Sequence, residues 1–321
     1  MNHLKSIVFG LTLGMATHLA QAFPDKPVVI VVPFPVGGAT DVQSRVVAER
    51  LAERWGKPVI VENRGGAGGA IGTTYVLRQP ADGHTILMHS PPVMISSELL
   101  RDNAGYRTAE DFVAFTDAFV TPVVFVASTN TTARNAQDFF EEARQAGNFS
   151  FASHGHGSST QYIGERLKME ANLPLLHVPM AGESQMVANL IGGHVTTAFI
   201  SASGAKKALD SGSAWVVAVS GSSRWPAFPQ VPTFQELGLP KMDRMSGGKY
   251  FVRKGTPSEL IQRLSADFAF AINDPKAAET TRALGVMPVT STPEQSAADL
   301  SRELAEWQEA IREFGNLINN K

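Results

Sequence analysis

Val28-Val29-Ile30-Val31-Val32 is a run of β-branched apolar residues with nothing polar to face water. Such a run reads as a strand covered on both faces, as in a parallel sheet between helix layers. The theme recurs at Pro58 to Val61, Thr85 to Met88, Val123 to Ala127, Phe149 to Ala152 and Leu175 to Val178. It returns at Val195 to Ile200, Trp215 to Val219 and Tyr250 to Val252. Helical periods lie between them: Val42, Val46, Val47, Leu51 and Trp55 share one face, as do Leu300, Leu304, Trp307, Ile311 and Phe314. The alternation predicts an α/β fold of mainly parallel sheets flanked by helices. At 321 residues the chain exceeds the ~250–300 at which one core stops growing, so two domains are expected. No low-complexity linker separates them, which predicts that the chain crosses between domains more than once, through strands.

Helix starts are well marked. Thr40 with Gln43, and Ser158 with Gln161, have capping-box spacing. Thr256-Pro257-Ser258-Glu259 and Thr292-Pro293-Glu294-Gln295 add proline at the first helical position.

Met1 to Ala22 reads as a secretory signal peptide: Lys5, a short apolar run from Ile7 to Met15, and Ala20-Gln21-Ala22 before a mature start at Phe23. The apolar run falls short of the ~20 residues that span a bilayer, which disfavours the alternative of an uncleaved anchor. A formal charge of −2 offers no broad attraction to nucleic acid or anionic lipid. The absence of cysteine removes disulfides, thiolate metal sites, cysteine nucleophiles and an N-terminal lipid anchor on cysteine.

Two glycine-bearing loops carry the functional signal. Pro33-Phe34-Pro35-Val36-Gly37-Gly38-Ala39-Thr40-Asp41 joins the strand at Val28 to a helix. Converging backbone N–H groups and the positive helix end make an anion seat. Ser153-His154-Gly155-His156-Gly157-Ser158-Ser159-Thr160 repeats the design before a helix carrying Tyr162, Ile163 and Leu167. Two such seats on two lobes suggest a ligand held between them at the carboxyl ends of strands. Charge-assisted bonds at about 1.5–3 kcal/mol each from two loops cover micromolar binding, about −8 kcal/mol, after association costs. Neither loop contains Arg or Lys, so a small carboxylate fits better than a polyphosphate.

Arg64-Gly65-Gly66-Ala67-Gly68-Gly69-Ala70-Ile71-Gly72 misses the dinucleotide fingerprint, because Ile71 stands where the third glycine belongs. Gly248-Lys249 is followed by Tyr250, not Ser or Thr, so no P-loop forms. No cofactor is expected. Ser158 or Ser159 with His154 or His156 leaves a secreted serine hydrolase open as an alternative, although capping explains the hydroxyls more simply. A metal bound by His154 and His156, with His89, His177 or His194, is conceivable, yet no spacing demands it.

The chain also resembles the Bug family, the periplasmic substrate-binding receptors of tripartite tricarboxylate transporters. The likeness rests on Phe23-Pro24-Asp25-Lys26-Pro27, the loop from Pro33 to Asp41, and Pro58-Val59-Ile60-Val61-Glu62-Asn63-Arg64. Further matches are Gly66-Ala67-Gly68-Gly69, Ala81-Asp82-Gly83, His177-Val178-Pro179, Gly192-Gly193, Pro229 to Phe234 and Gly255-Thr256-Pro257. The resemblance implies a type II flytrap of two α/β lobes: 23–121 plus 244–321 as one, 122–243 as the other. It implies a monomer that closes on a small organic acid in the periplasm, delivers it to integral membrane subunits of a transporter, and does no chemistry. A ligand sensor feeding a membrane signalling protein is the alternative within that class.

Carried over by position, the resemblance implies ligand contacts at Phe34, Gly37, Gly38, Ala39, Thr40 and Asp41, then at Gly157, Ser158, Ser159 and Thr160. Ser90, His154, His156, Gly182, Ile200 and Ser201 complete the expected lining. Departures concern specificity. Val178-Pro179-Met180-Ala181-Gly182 stands where relatives often have Val-Pro-Tyr-Lys-Gly. Ile200 stands where many relatives carry an aspartate able to meet an amine, so amino-acid ligands are disfavoured. A less polar pocket for an aromatic or short-chain carboxylate, such as terephthalate, is the expectation.

Overall fold

The computed structural model describes residues 23–101, 103–155 and 158–319; the expected signal peptide (1–22), His156 and Gly157 lie outside them. The chain runs β1 (Val28–Val32), α1 (Ala39–Trp55), β2 (Val59–Asn63), α2 (Ala70–Leu77), β3 (Thr85–His89), α3 (Pro91–Leu100), α4 (Thr108–Asp111) and β4 (Phe112–Thr121). It continues β5 (Val124–Ser128), α5 (Ala136–Ala146), β6 (Ser150–Ser153), α6 (Ser159–Glu170), β7 (Leu176–Pro179), α7 (Glu183–Ile191), β8 (Thr197–Ile200), α8 (Ala202–Asp210) and β9 (Ala214–Val219). Then follow β10 (Ser246–Arg253), α9 (Ser258–Ile272), α10 (Pro275–Ala283), β11 (Met287–Pro288) and α11 (Pro293–Asn319).

These strands form two sheets, one ordered β11-β4-β10-β3-β1-β2 and the other β7-β6-β8-β5-β9. β1 shows why its sequence is apolar throughout. Val28, Ile30 and Val32 pack into the core shared with Val47, Leu51 and Phe268. Val31 points the other way, into the cluster of Met94, Phe251 and Trp307.

The sheets are mixed, not mainly parallel. β1 runs parallel to β2 and β3, but β10 is antiparallel to both β3 and β4, and β11 to β4. In the second sheet β6, β7 and β8 are parallel, whereas β5 opposes β8 and β9. The antiparallel members include the strands that carry the chain between the sheets. β4 passes into β5 through only Pro122 and Val123, and the chain returns along residues 220–245 into β10. β10 enters its sheet at the edge where β3 ends and so must run against it, and β4, which leaves at that edge, is antiparallel to β10.

Contacts join the two halves. The largest buried cluster contains Ile30, Phe115 and Tyr250 of the first sheet with Val126, Ala198 and Val219 of the second. On the opposite side α11 lays Trp307 against Tyr162 of α6, ring centroids 4.9 Å apart.

The caps are partly as expected. Thr292 and Gln295 form both halves of a box, Gln295 N–H to Thr292 Oγ1 at 3.2 Å and Thr292 N–H to Gln295 Oε1 at 3.0 Å. Ser158 accepts from Gln161 N–H at 3.2 Å, while the Gln161 amide pairs with His177 Nδ1 instead of closing the box. Two expectations fail. α1 starts after Gly38, with no side-chain cap, and Gln43 accepts from Tyr250 Oη at 2.7 Å. α9 starts after Pro257, and Thr256 donates to the carbonyl of Arg253 at 2.8 Å, fastening the helix start to β10.

Candidate functional site

Because β6, β7 and β8 are parallel, their carboxyl ends lie along one edge, and α6, α7 and α8 begin there. The same holds for β1, β2 and β3 and the helices that follow them. The two edges meet across a gap: Lys207 Nζ of α8 lies 3.4 Å from the carbonyl of Gly37 in the β1–α1 loop. Gly285 also approaches Ala202 at the start of α8 so closely that a Cβ there would stand 3.2 Å from the alanine methyl.

The β1–α1 loop is held from below by Asp41. This carboxylate is 1% exposed. It accepts the Gly37 N–H at 2.8 Å and the Asn63 amide at 2.9 Å, and pairs with Arg45 at 2.9 Å. Burial alone would raise its pKa; the bonds from Arg45, Gly37 and Asn63 outweigh that and hold it below the usual carboxylate range. Asp41 thus shapes the loop from inside, and the Gly37 N–H is engaged with it. Gly38 and half-buried Thr40 stand at the helix entry, and the space beside Gly37 and Gly38 is open. Ala39 is buried against the core.

Phe34 leans edge-on against His89, centroids 5.1 Å apart. His89 is fully buried, and burial pushes its pKa down to about 4, so the ring is neutral. Its Nδ1–H donates to the carbonyl of Ser90 at 3.0 Å. Its Nε2 lies against Gly69, where a Cβ would come within 2.6 Å. The glycine-rich stretch before α2 is therefore a close-packed turn. Ser90 is nearly buried, its hydroxyl 3.4 Å from that of Ser246.

On the facing edge the β6–α6 loop is knitted by hydroxyls. Ser158 Oγ donates to the carbonyl of Gly155 at 2.7 Å while capping α6. Thr160 Oγ1 takes the His154 N–H at 2.9 Å and lies 3.0 Å from His154 Nδ1. Ser159 is buried. His154 therefore meets Thr160, not either serine, and burial lowers its pKa against the opposing pull of Glu183. His177 pairs with Ser153 Oγ at 2.6 Å.

Gly182 caps α7 beside open space. Ser201 caps α8, whereas Ile200 is buried with Val126 and Ala202 in the core. The residue that sequence reasoning missed is Glu183. Its carboxylate reaches from the start of α7 to the start of α8, accepting Ser201 N–H at 2.8 Å and Ser201 Oγ–H at 2.7 Å. An acid in the first turn of a helix was the visible signal, but it reads as a complement to its own helix dipole.

The sequence pattern of the "Tripartite tricarboxylate transporter family receptor" matches residues 43–316. The chain belongs to this receptor family. The family is one of solute-binding receptors, which act in the periplasm and are not enzymes. Among its relatives, the "UPF0065 protein in tcbD-tcbE intergenic region" of Pseudomonas sp. strain P51 is 33% identical over 97% of this chain and 94% of its own. The solved structure of the periplasmic binding protein BugD is 28% identical, with a TM-score of 0.83, over 91% of this chain and 99% of its own. An R. palustris protein solved with adipate is 27% identical, with a TM-score of 0.84, over 91% and 98%. The resemblance to the Bug receptors and the two-sheet α/β binding-protein fold are thus borne out.

Proposed function

We propose that this receptor captures a small organic carboxylate between two lobes, 23–121 with 244–321 and 122–243, and passes it to the membrane subunits of a tripartite tricarboxylate-type transporter. The observation that carries the reading is the pair of helix entries, α1 behind Gly38 and α6 behind Ser158, on facing strand edges bridged by Lys207 and Gly37. Each entry offers backbone N–H groups and a positive helix end to an anion. The R. palustris neighbour with adipate supports the ligand class. Half-buried Phe34, buried His89 and Met180, and the absence of Arg or Lys from both loops suit an acid with an apolar body. The protein works as a periplasmic monomer, its signal peptide removed before Phe23, and returns its ligand unchanged.

A thermal-shift screen of the mature protein over mono-, di-, tri- and aromatic carboxylates tests this. A ligand at 100 times its Kd adds about 2.7 kcal/mol of stability. Thr40→Leu or Ser158→Leu is expected to abolish the shift; an unchanged shift in both variants would sink the assignment of the two seats. A ligand that is recovered chemically altered would instead favour a hydrolase.

A further inference from the structure

Three helices begin along one edge of the second sheet, and one of their positive ends already holds a negative charge. The Glu183 carboxylate sits on the N-terminus of α8, bonded to the backbone and hydroxyl of Ser201. The seat is built for it. Ser201 Oγ accepts Gly204 N–H at 3.1 Å and lies 2.8 Å from Ser203 Oγ, which donates to it because the Ser201 proton goes to Glu183. Gly204 leaves the room: a Cβ there would stand 2.8 Å from Glu183 Oε1. Glu183 is only half-buried, and the neighbouring Gly182 and the opposite Gly37 and Gly38 border open space. Burial lowers the pKa of His154 against the opposing pull of Glu183.

We infer that Glu183 is a specificity-determining residue which restricts the ligand to one carboxylate, seated at the α6 end, with an uncharged or cationic group toward α8. This rests on the receptor reading above and narrows it. Terephthalate, doubly charged, becomes a poor ligand and its half-ester a good one. An amine, disfavoured by Ile200 on β8, regains an acidic partner supplied from the start of α7. Like charges about 6–12 Å apart at an effective dielectric near 20 are worth about one to two powers of ten in affinity.

The experiment is calorimetry with terephthalate and adipate, each against its own monomethyl ester, so that shape is kept while one charge is removed. The wild-type protein is expected to bind at least one half-ester about tenfold or more tightly than the matching diacid, with the preference collapsing in Glu183→Gln. Equal or tighter binding of both diacids by the wild type overturns the inference, as does an unchanged preference in the folded variant. If the variant does not fold, the wild-type ratios decide alone. Binding of no acid by the wild type overturns the receptor reading and this inference together, an outcome distinct from binding without charge preference.

Discussion

Asp41 shows how a single buried side chain can fix the course of a loop from inside the fold. Its charge is sealed under the loop and satisfied by Gly37, Asn63 and Arg45. Asp41→Asn turns an acceptor toward the Gly37 N–H into a possible donor and leaves buried groups short of partners. The expected loss is about 1–3 kcal/mol near neutral pH, measured by urea unfolding. The folded-state pKa lies below the unfolded value of 3.8, so the contribution is present above that value and is lost as pH falls through the folded one. The gap between wild type and variant should therefore narrow in acid. Glu303 behaves in the opposite sense. Burial, aided by Asp117, Glu306 and Asp299 and opposed by Lys249, raises it to about 7. Between the unfolded value, 4.5, and about 7 the folded state holds the proton that the unfolded state releases, so stability falls as pH rises through that window. Glu303→Gln should raise the Tm at pH 8 and leave it nearly unchanged at pH 4.5; a lower Tm at pH 8 would refute this. None of these roles was legible in the sequence, because each depends on a neighbour brought in by the fold. Asp117, for example, meets Lys249 across β4 and β10, 132 positions along the chain.

Elements were legible where their own composition decided them. β1 announced itself because both of its faces are covered by apolar layers. β4 did not, although it is ten residues long. Thr116, Asp117 and Thr121 break its apolar run, and their polar groups are absorbed by Ser291, Lys249 and a local carbonyl. Helix starts divide the same way. Ser158 and Thr292 cap as their spacing predicted, while Thr40 yields to Gly38 because Asp41 supplies the loop with an acceptor from within the first turn. Ser158→Ala should cost about 1 kcal/mol of stability from the lost cap. It should also weaken carboxylate binding more than Thr292→Ala, whose cap lies on α11 away from the site. Equal binding losses in the two variants would show that general destabilisation, not the seat, is being read.

At the scale of the whole molecule, two sheets could be read from strand count and length, but the order of their strands could not. β10 lies between β3 and β4, although the entire second sheet intervenes in the chain. During synthesis, residues up to Val219 contain every strand of the second sheet, whereas the first remains split, with β3 lacking β10 and β4 lacking both β10 and β11. Closing that split requires the ends of a very long loop to meet, a slow event in folding kinetics. Pulsed hydrogen exchange should accordingly protect β5 to β9 before β3, β4 and β10. Early protection of β3 and β4 would argue against this order. The inserted half is thus ready before its host, and the host's open edges are the chain's hazard while it waits: a nascent chain without β10 has the unpaired edges of β3 and β4 to shield. A holding chaperone has most to do for this molecule between the emergence of β4 and the arrival of β10.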